Sequence, residues 1–95
     1  MSEGAMDAAT PETKRVEVLL FGPQAELAGV RSVGIDIAAG RTTCAEALSL
    51  VAERCAALRP SIASSRLAVD HAFADGCAVL RGDEELALIG MVGGG

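Results

Sequence analysis

The sequence predicts an α+β fold in which one main helix packs across a β-sheet. Three observations carry this prediction: two early segments have the pattern of strands, an amphipathic helix with a capping motif follows, and a last apolar strand leads into glycines. The predicted order is strand, strand, helix, strand, short strand, strand, arranged as a roll around one core. A chain of 95 residues suffices for one small domain.

Alternation of apolar and polar residues defines the predicted strands. Strands are predicted at residues 15–21, 32–38, 66–71 and 85–89, with a short companion at 77–80. In the second strand Val33, Ile35 and Ile37 alternate with small or polar residues, which predicts one buried face. Segments 18–21 and 86–89 are apolar at every position, which predicts interior strands covered on both faces.

The main helix is predicted from Thr43 to about Leu58. Thr43 and Glu46 have the spacing of a capping box, in which each side chain bonds the backbone of the other residue. The apolar stripe expected to face the sheet consists of Leu48, Val51, Cys55 and Leu58. Pro60 predicts a firm stop. Residues 24–29, between the first two strands, are predicted to form a helical turn or loop.

The two ends of the sequence differ from the domain between them. We expect a disordered lead-in over residues 1–13, the domain over 14–90 and a flexible tail over 91–95. The lead-in has no continuous apolar block and does not resemble a signal peptide. The tail closes on three glycines, which make a slim peptide able to enter a narrow channel and present its carboxylate to another protein. A frayed terminus is the alternative interpretation.

Charge and cysteine content exclude several classes of function. The net charge of −5 argues against nucleic acid or an anionic membrane as partner, because both require clustered Lys and Arg. No apolar run approaches the roughly 18 residues of a membrane span. The cysteines, at positions 44, 55 and 77, lack C-x-x-C spacing and predict neither a disulfide framework nor a zinc site. We therefore expect a cytoplasmic protein in a reducing compartment.

No constellation of side chains predicts an independent enzyme. Cys44, at the start of the helix, is either a reactive thiol or, more in keeping with its residue type, a small apolar filler. Cys55 is expected in the core and His71 on the surface, since a metal site needs further ligands. The acidic run 83–85 is expected to form a solvated turn.

Three blocks of sequence and the terminal Gly-Gly resemble the small subunit of molybdopterin synthase, the MoaD family, which belongs with ThiS to the ubiquitin-like sulfur carriers. Residues 16–29 (VEVLLFGPQAELAG) resemble its first strand and the loop that follows. Residues 67–70 resemble its "LAVN" strand, and 81–89 its "DGDEVALIPP" stretch before the terminal Gly-Gly. The departures are Asp70 for the asparagine, Gly90-Met91 for the family's proline pair, and Gly93 for a Ser or Thr.

This resemblance implies a β-grasp fold with a mixed sheet, and the function of a sulfur carrier. An E1-like adenylyltransferase would use ATP to adenylate the carboxylate of Gly95, and a sulfur donor would convert it to a thiocarboxylate. The large subunit of molybdopterin synthase, in a heterotetramer, would take the sulfur and hold the active site, so this chain would bind no cofactor. Gly94 and Gly95 would carry the chemistry, with Val92 and Gly93 lining the channel.

Partners are expected to contact an exposed face of the sheet around Phe73, Leu80 and Met91. The alternative for Phe73 is that it fills the core. Other functions remain open: a carrier for thiamine, cysteine or thio-tRNA synthesis, a ubiquitin-like modifier of other proteins, or a plain binding module with incidental glycines.

Overall fold

The computed structural model describes residues 12–90, and within this range five strands form one sheet. The strands are β1 (Thr13–Leu20), β2 (Ser32–Ala38), β3 (Ser65–Val69), β4 (Ala72–Phe73) and β5 (Leu86–Gly90). They lie in the order β2-β1-β5-β3-β4. The β1–β5 pair is parallel and the other pairs are antiparallel, so the predicted mixed sheet is confirmed.

The first two strands pair with each other in antiparallel orientation. Val16 pairs with Ile35 and Val18 with Val33, and all four side chains are buried. Successive residues of a strand point to opposite faces, so the alternating pattern places these apolar side chains on one side of the sheet. The predicted bounds of β2 agree with the structure.

The helical segments are α1 (Gly22–Ala28), α2 (Cys44–Arg54) and α3 (Arg59–Ile62), with a 3₁₀ turn at Ala56–Leu58. The capping box of α2 is present: the Glu46 amide donates to Thr43 Oγ1 over 3.2 Å, and the Thr43 amide donates to Glu46 Oε1 over 2.9 Å. No helix of residues 12–90 is long and apolar enough to cross a membrane.

The predicted end of the main helix is wrong. The helix stops at Arg54, and Cys55 adopts an extended backbone with φ −135° and ψ 93°. Pro60 does not terminate a helix; it lies in the first turn of α3, where its missing N–H costs nothing. The apolar side chains therefore continue to Leu58 at the predicted spacing, but the backbone that carries Leu58 is a 3₁₀ turn and not part of the α-helix.

The core lies between one face of the sheet and the helices. Its fully buried side chains include Val18, Ile35, Val51, Leu58 and Leu88. On the other face Leu19, Ala87 and Ile89 are only half-buried. The prediction that β1 and β5 are covered on both faces is therefore wrong, although both strands are interior to the sheet. The helices pack on one side only, which leaves the second apolar face without a covering layer.

A tight hairpin replaces the predicted continuation of β3. The chain reverses at Asp70 and His71, whose φ values are 52° and 72°, and Phe73 pairs back with Ala68. Positive φ at both central residues is characteristic of the two-residue turns that match strand twist. The predicted strand at 77–80 is reduced to one bridge, between Val79 and Thr43.

Candidate functional site

The last strand brings the glycine tail out of the middle of the sheet. Leu88 pairs with Leu20 of β1 on one side and with Leu67 of β3 on the other. Gly90, the final described residue, pairs with Ser65. The tail residues with predicted roles, Met91, Val92, Gly93, Gly94 and Gly95, lie outside the described residues. The site consequently consists of the surfaces that surround Gly90.

One such surface is an apolar groove on the open face of the sheet. It has a volume of about 310 Å³. Its lining residues are Leu19, Phe21, Ala68, His71, Phe73, Glu85, Ala87 and Ile89. Six of the eight are apolar, and none comes from α2 or α3. An apolar groove without a covering layer is a candidate surface for binding a partner protein.

A second groove lies on the other side of the end of β5. Its volume is about 390 Å³, and its lining includes Pro23, Gln24 and Leu27 of α1. Phe21 and Ile89 line both grooves. Gly90, at the end of β5, thus borders the second groove, and Phe21 and Ile89 connect that groove to the first.

We use the name collar for four large apolar side chains that line one or both grooves: Phe21, Leu27, Phe73 and Ile89. Phe21 is 53% exposed, Leu27 57% and Phe73 52%. Large apolar side chains with half their surface in water are costly in a small domain unless a partner covers them. The collar therefore has the character of a protein-binding surface.

Polar groups at the rim of the open face are paired with each other. His71 Nε2 lies 2.9 Å from Glu85 Oε1, and the guanidinium of Arg66 stacks over the Phe73 ring at 5.1 Å from its centroid. On the far side Ser32 Oγ donates to Glu17 Oε1 over 2.8 Å. Paired groups of this kind surround an apolar centre with a polar rim, as in many protein interfaces.

A buried polar network supports the origin of the tail. Gln24 is 5% exposed and Ser65 is 7% exposed. Gln24 Nε2 donates to Ser65 Oγ over 2.6 Å, and Ser65 Oγ donates in turn to the carbonyl of Ser61 over 2.6 Å. These bonds join α1, β3 and α3 directly beneath Gly90.

Two ionisable side chains of the described residues, Cys44 and Glu84, have shifted pKa values. Burial raises the pKa of the Cys44 thiol, and the negative charges of Glu84 and Asp75 raise it further, so this cysteine is a buried neutral filler. Partial burial would raise the pKa of Glu84, but hydrogen bonds from the amides of Arg81 and Gly82 outweigh it and lower the pKa. Within residues 12–90 no group of three or more His, Cys, Asp or Glu side chains is arranged to bind a metal ion.

The structure separates the residues predicted to contact partners. Phe73 is on the surface, so the alternative that it fills the core is wrong. Leu80 is 1% exposed, so its predicted place on an exposed face is wrong. Its amide donates to the Thr42 carbonyl and its carbonyl accepts from Gly40, which holds its side chain in the core. His71 is exposed, as predicted.

Sequence reasoning missed Phe21, Leu27 and Gln24. Phe21 was assigned to the end of the first strand, but it precedes α1 and points to the surface. The signal that could have identified it is its position before Gly22-Pro23, where the strand must end. Gln24 is a polar residue that the short helix buries, and nothing in the sequence pattern marked it.

Comparisons with solved structures identify the fold. The chain is similar to SAMP1 from Haloferax volcanii, with 27% identity and a TM-score of 0.71 over 85% of this chain and 99% of that one. A second structure, of H. volcanii small archaeal modifier protein 1, has 25% identity and a TM-score of 0.72 over 83% of this chain and 99% of that one.

A candidate molybdopterin converting factor subunit 1 from Pyrococcus furiosus has the same architecture. Its identity is 16% and its TM-score 0.69, over 83% of this chain and 99% of that one. No protein-family model matches the chain, and no curated protein sequence matches it. The matches span nearly the whole of each neighbour. The chain therefore has the ubiquitin-like β-grasp fold.

Proposed function

We propose that the chain is a ubiquitin-like sulfur carrier that serves as the small subunit of a molybdopterin synthase. The observation that carries the proposal is the position of β5: it lies in the middle of the sheet, ends beside the exposed apolar side chains of Phe21 and Leu27, and is followed by a sequence that closes on three glycines. The fold shared with a small modifier and with a candidate converting factor subunit also supports it.

The chemistry requires activation by a partner. In the first step an oxygen of the Gly95 carboxylate attacks the α-phosphorus of ATP, and pyrophosphate leaves. Hydrosulfide derived from the sulfur donor then attacks the acyl carbon of the adenylate and AMP leaves with the oxygen that attacked ATP, so that one carboxylate oxygen is replaced by sulfur. A terminal glycine leaves the carbonyl open to attack, because it has no Cβ. This chain contributes the slim acyl group and the surface that its partners recognise, while an E1-like adenylyltransferase supplies the catalytic groups.

The collar is the surface on which partners would dock. A catalytic partner has to bind the domain while its channel receives the tail, so the contact surface should surround the point where the tail emerges. Phe21 and Leu27 meet that requirement, since both are half exposed and line the groove that Gly90 also lines. Phe73, which is level with Ala87, extends this surface across the open face of the sheet. The large subunit and the adenylyltransferase would then use overlapping surfaces in turn, not simultaneously.

Intact-mass measurement tests the carrier function directly. The protein is incubated with an E1-like adenylyltransferase, ATP and a sulfur donor, and we expect a gain equal to the replacement of one oxygen by sulfur. A variant lacking Gly95 should show no gain. An unchanged mass, with an enzyme that thiolates another carrier in the same mixture, would contradict the proposal. Addition of the large subunit and precursor pterin then identifies the pathway by loss of the sulfur.

A protein modifier is the second candidate, and the identity with two small archaeal modifier structures favours it. In that case the activated carboxylate would form an isopeptide bond with a lysine of a target protein. The chain itself has one lysine, Lys14, which limits self-conjugation at side chains. A ladder of higher-mass species on a denaturing gel, dependent on ATP and on Gly95, would distinguish conjugation from sulfur transfer.

A further inference from the structure

We infer that Gln24 is a positioning residue for the glycine tail: through its buried amide, it holds the origin of the tail in a fixed place relative to the collar. The inference rests on the proposed carrier function, since it concerns how the tail is delivered to an activating partner. It assigns a role to a polar residue that core packing alone does not require.

The first argument is the set of elements that Gln24 connects. Its own helix, α1, carries Leu27 of the collar and directly follows Phe21. Its amide donates to Ser65 Oγ, and Ser65 pairs with Gly90 in the sheet. One side chain thus links the helix that carries Leu27 and follows Phe21 to Gly90, the strand position that precedes the tail.

The second argument is the contact between Gln24 and Gly90. A Cβ built on Gly90 would lie 3.2 Å from both Gln24 Cδ and Nε2 and 3.4 Å from Oε1. All three of its nearest neighbours belong to the Gln24 amide. The amide therefore lies against the Cα of Gly90, and glycine at this position allows the approach.

The third argument is energetic. Burying an amide costs free energy unless it is hydrogen-bonded, and an apolar side chain would fill the same space without that cost. Hydrogen bonds are directional, however, and fix the relative positions of the groups they join. The bonds from Gln24 to Ser65 and from Ser65 to the Ser61 carbonyl, each 2.6 Å long, define one arrangement where apolar packing would permit several.

A positioning role predicts a specific kinetic pattern. The collar determines how tightly the domain binds its activating partner, whereas the direction of the tail determines how often the bound carboxylate reaches the ATP phosphate. Small errors in placing a reacting group reduce the rate of a bound complex strongly. Loss of the Gln24 network should therefore lower kcat for adenylation with little effect on KM.

Two variants remove the network by different routes. Gln24→Met keeps the length and unbranched shape of the side chain but removes the amide, and Ser65→Ala removes the hydroxyl. We expect each variant to lower kcat for adenylation by about tenfold and to change KM by less than about twofold. Adenylation is measured by pyrophosphate exchange. Leu27→Ala should show the opposite pattern, a higher KM and a nearly unchanged kcat. Ser49→Ala, on the surface of α2, is the matched serine control and should alter neither constant.

A double-mutant cycle tests the contact independently of any enzyme. Gly90→Ala should lower the chemical denaturation midpoint, because the new Cβ displaces the Gln24 amide. In the Gln24→Ala background the same substitution should cost much less, since the amide is no longer there. Additive effects of the two substitutions would contradict the contact, because residues that do not touch behave independently.

The outcomes separate the inference from the proposed function. If the wild-type protein is not adenylated by a competent enzyme, the carrier proposal fails and the positioning role fails with it. If the wild type is adenylated and Gln24→Met keeps its kcat, only the positioning role is overturned. The fraction of folded protein in each variant is measured from its unfolding transition at the assay temperature. If kcat falls only in proportion to this fraction, the positioning role is also overturned.

Discussion

Leu88 and Ile89 are neighbours in β5 with almost the same hydrophobicity, and they point to opposite faces of the sheet. Leu88 is fully buried under the helical layer, whereas Ile89 is half-buried and lines both grooves beside the tail exit. The strand alternation assigns one residue to folding and the other to a surface. Hydrophobicity alone therefore does not identify the core of this sheet; the presence of a covering layer does.

The largest difference between the faces should appear in stability. Leu88→Ala removes a fully buried side chain and should lower the free energy of unfolding by about 2–5 kcal/mol. Ile89→Ala removes a partly hydrated side chain and should cost about 1 kcal/mol or less. Chemical denaturation monitored by circular dichroism measures both. Equal losses of unfolding free energy would show that the second face is also covered in solution and that the two faces do not differ.

For partner binding, side chains on the open face of the sheet should matter more than those on the core face. Phe73→Ala should leave the unfolding transition nearly unchanged, but on the proposed function it should weaken binding to the large subunit by about 2 kcal/mol, as expected for a central aromatic contact. Calorimetric titration of the two subunits measures the affinity. Glu53→Ala, on α2 away from the collar, is the control. Unaltered affinity of Phe73→Ala would exclude the open face from the interface.

The distinction between the faces depends on the register of β5, because a slip of one residue would exchange Leu88 for Ile89. Asp70 fixes this register: its Oδ1 accepts from the Glu85 amide over 2.9 Å, and its own amide donates to the Glu85 carbonyl over 2.8 Å. Asp70→Ala should cost about 1–2 kcal/mol of unfolding free energy, through the lost bond and the positive φ.

Asp70→Gly separates the two contributions, since glycine tolerates the positive φ and lacks only the carboxylate. We expect its loss to be smaller than that of Asp70→Ala. Identical losses would mean that the hydrogen bond to Glu85 carries the whole effect and the backbone conformation none.

The smallest expected effect concerns the turn before β5. Glu84 is bound by the amides of Arg81 and Gly82, which lower its pKa. A carboxyl group whose pKa is lower in the folded than in the unfolded protein stabilises the folded protein at pH values above the unfolded-state pKa. This stabilisation is lost as the pH falls through the folded-state pKa. Glu84→Gln should cost about 1 kcal/mol at neutral pH. The gap between wild type and variant should close in acid; a gap independent of pH would contradict this role.

Local signals predicted much of the fold. The capping box at Thr43 and the alternation in residues 32–38 depend on neighbouring residues alone, and both predictions are confirmed. The reversal at Asp70-His71 was missed because neither residue is the glycine that usually marks such turns. The apolar segments of β1 and β5 were predicted to be covered on both faces. That prediction is wrong because the pattern of a strand does not reveal how many layers pack on its sheet.

The candidate site was less predictable for a related reason. The sequence predicts both Phe73 and Leu80 on an exposed face, and only Phe73 is there, because apolar residue type alone does not distinguish the open face of a sheet from its core. The link between Gln24, Ser65 and Gly90 joins three segments far apart in sequence. Contacts of that kind arise from tertiary packing and leave no local pattern.

The insertion of β5 between β1 and β3 also governs the order of events during synthesis. Before β5 leaves the ribosome, the β1–β2 hairpin and the β3–β4 hairpin have no strand between them. Pairing of Val18 with Leu86 joins opposite ends of the domain, and such long-range closure is slow relative to hairpin formation. We therefore expect the collar to assemble only after β5 has been synthesised, so that an activating partner does not bind chains truncated before this strand.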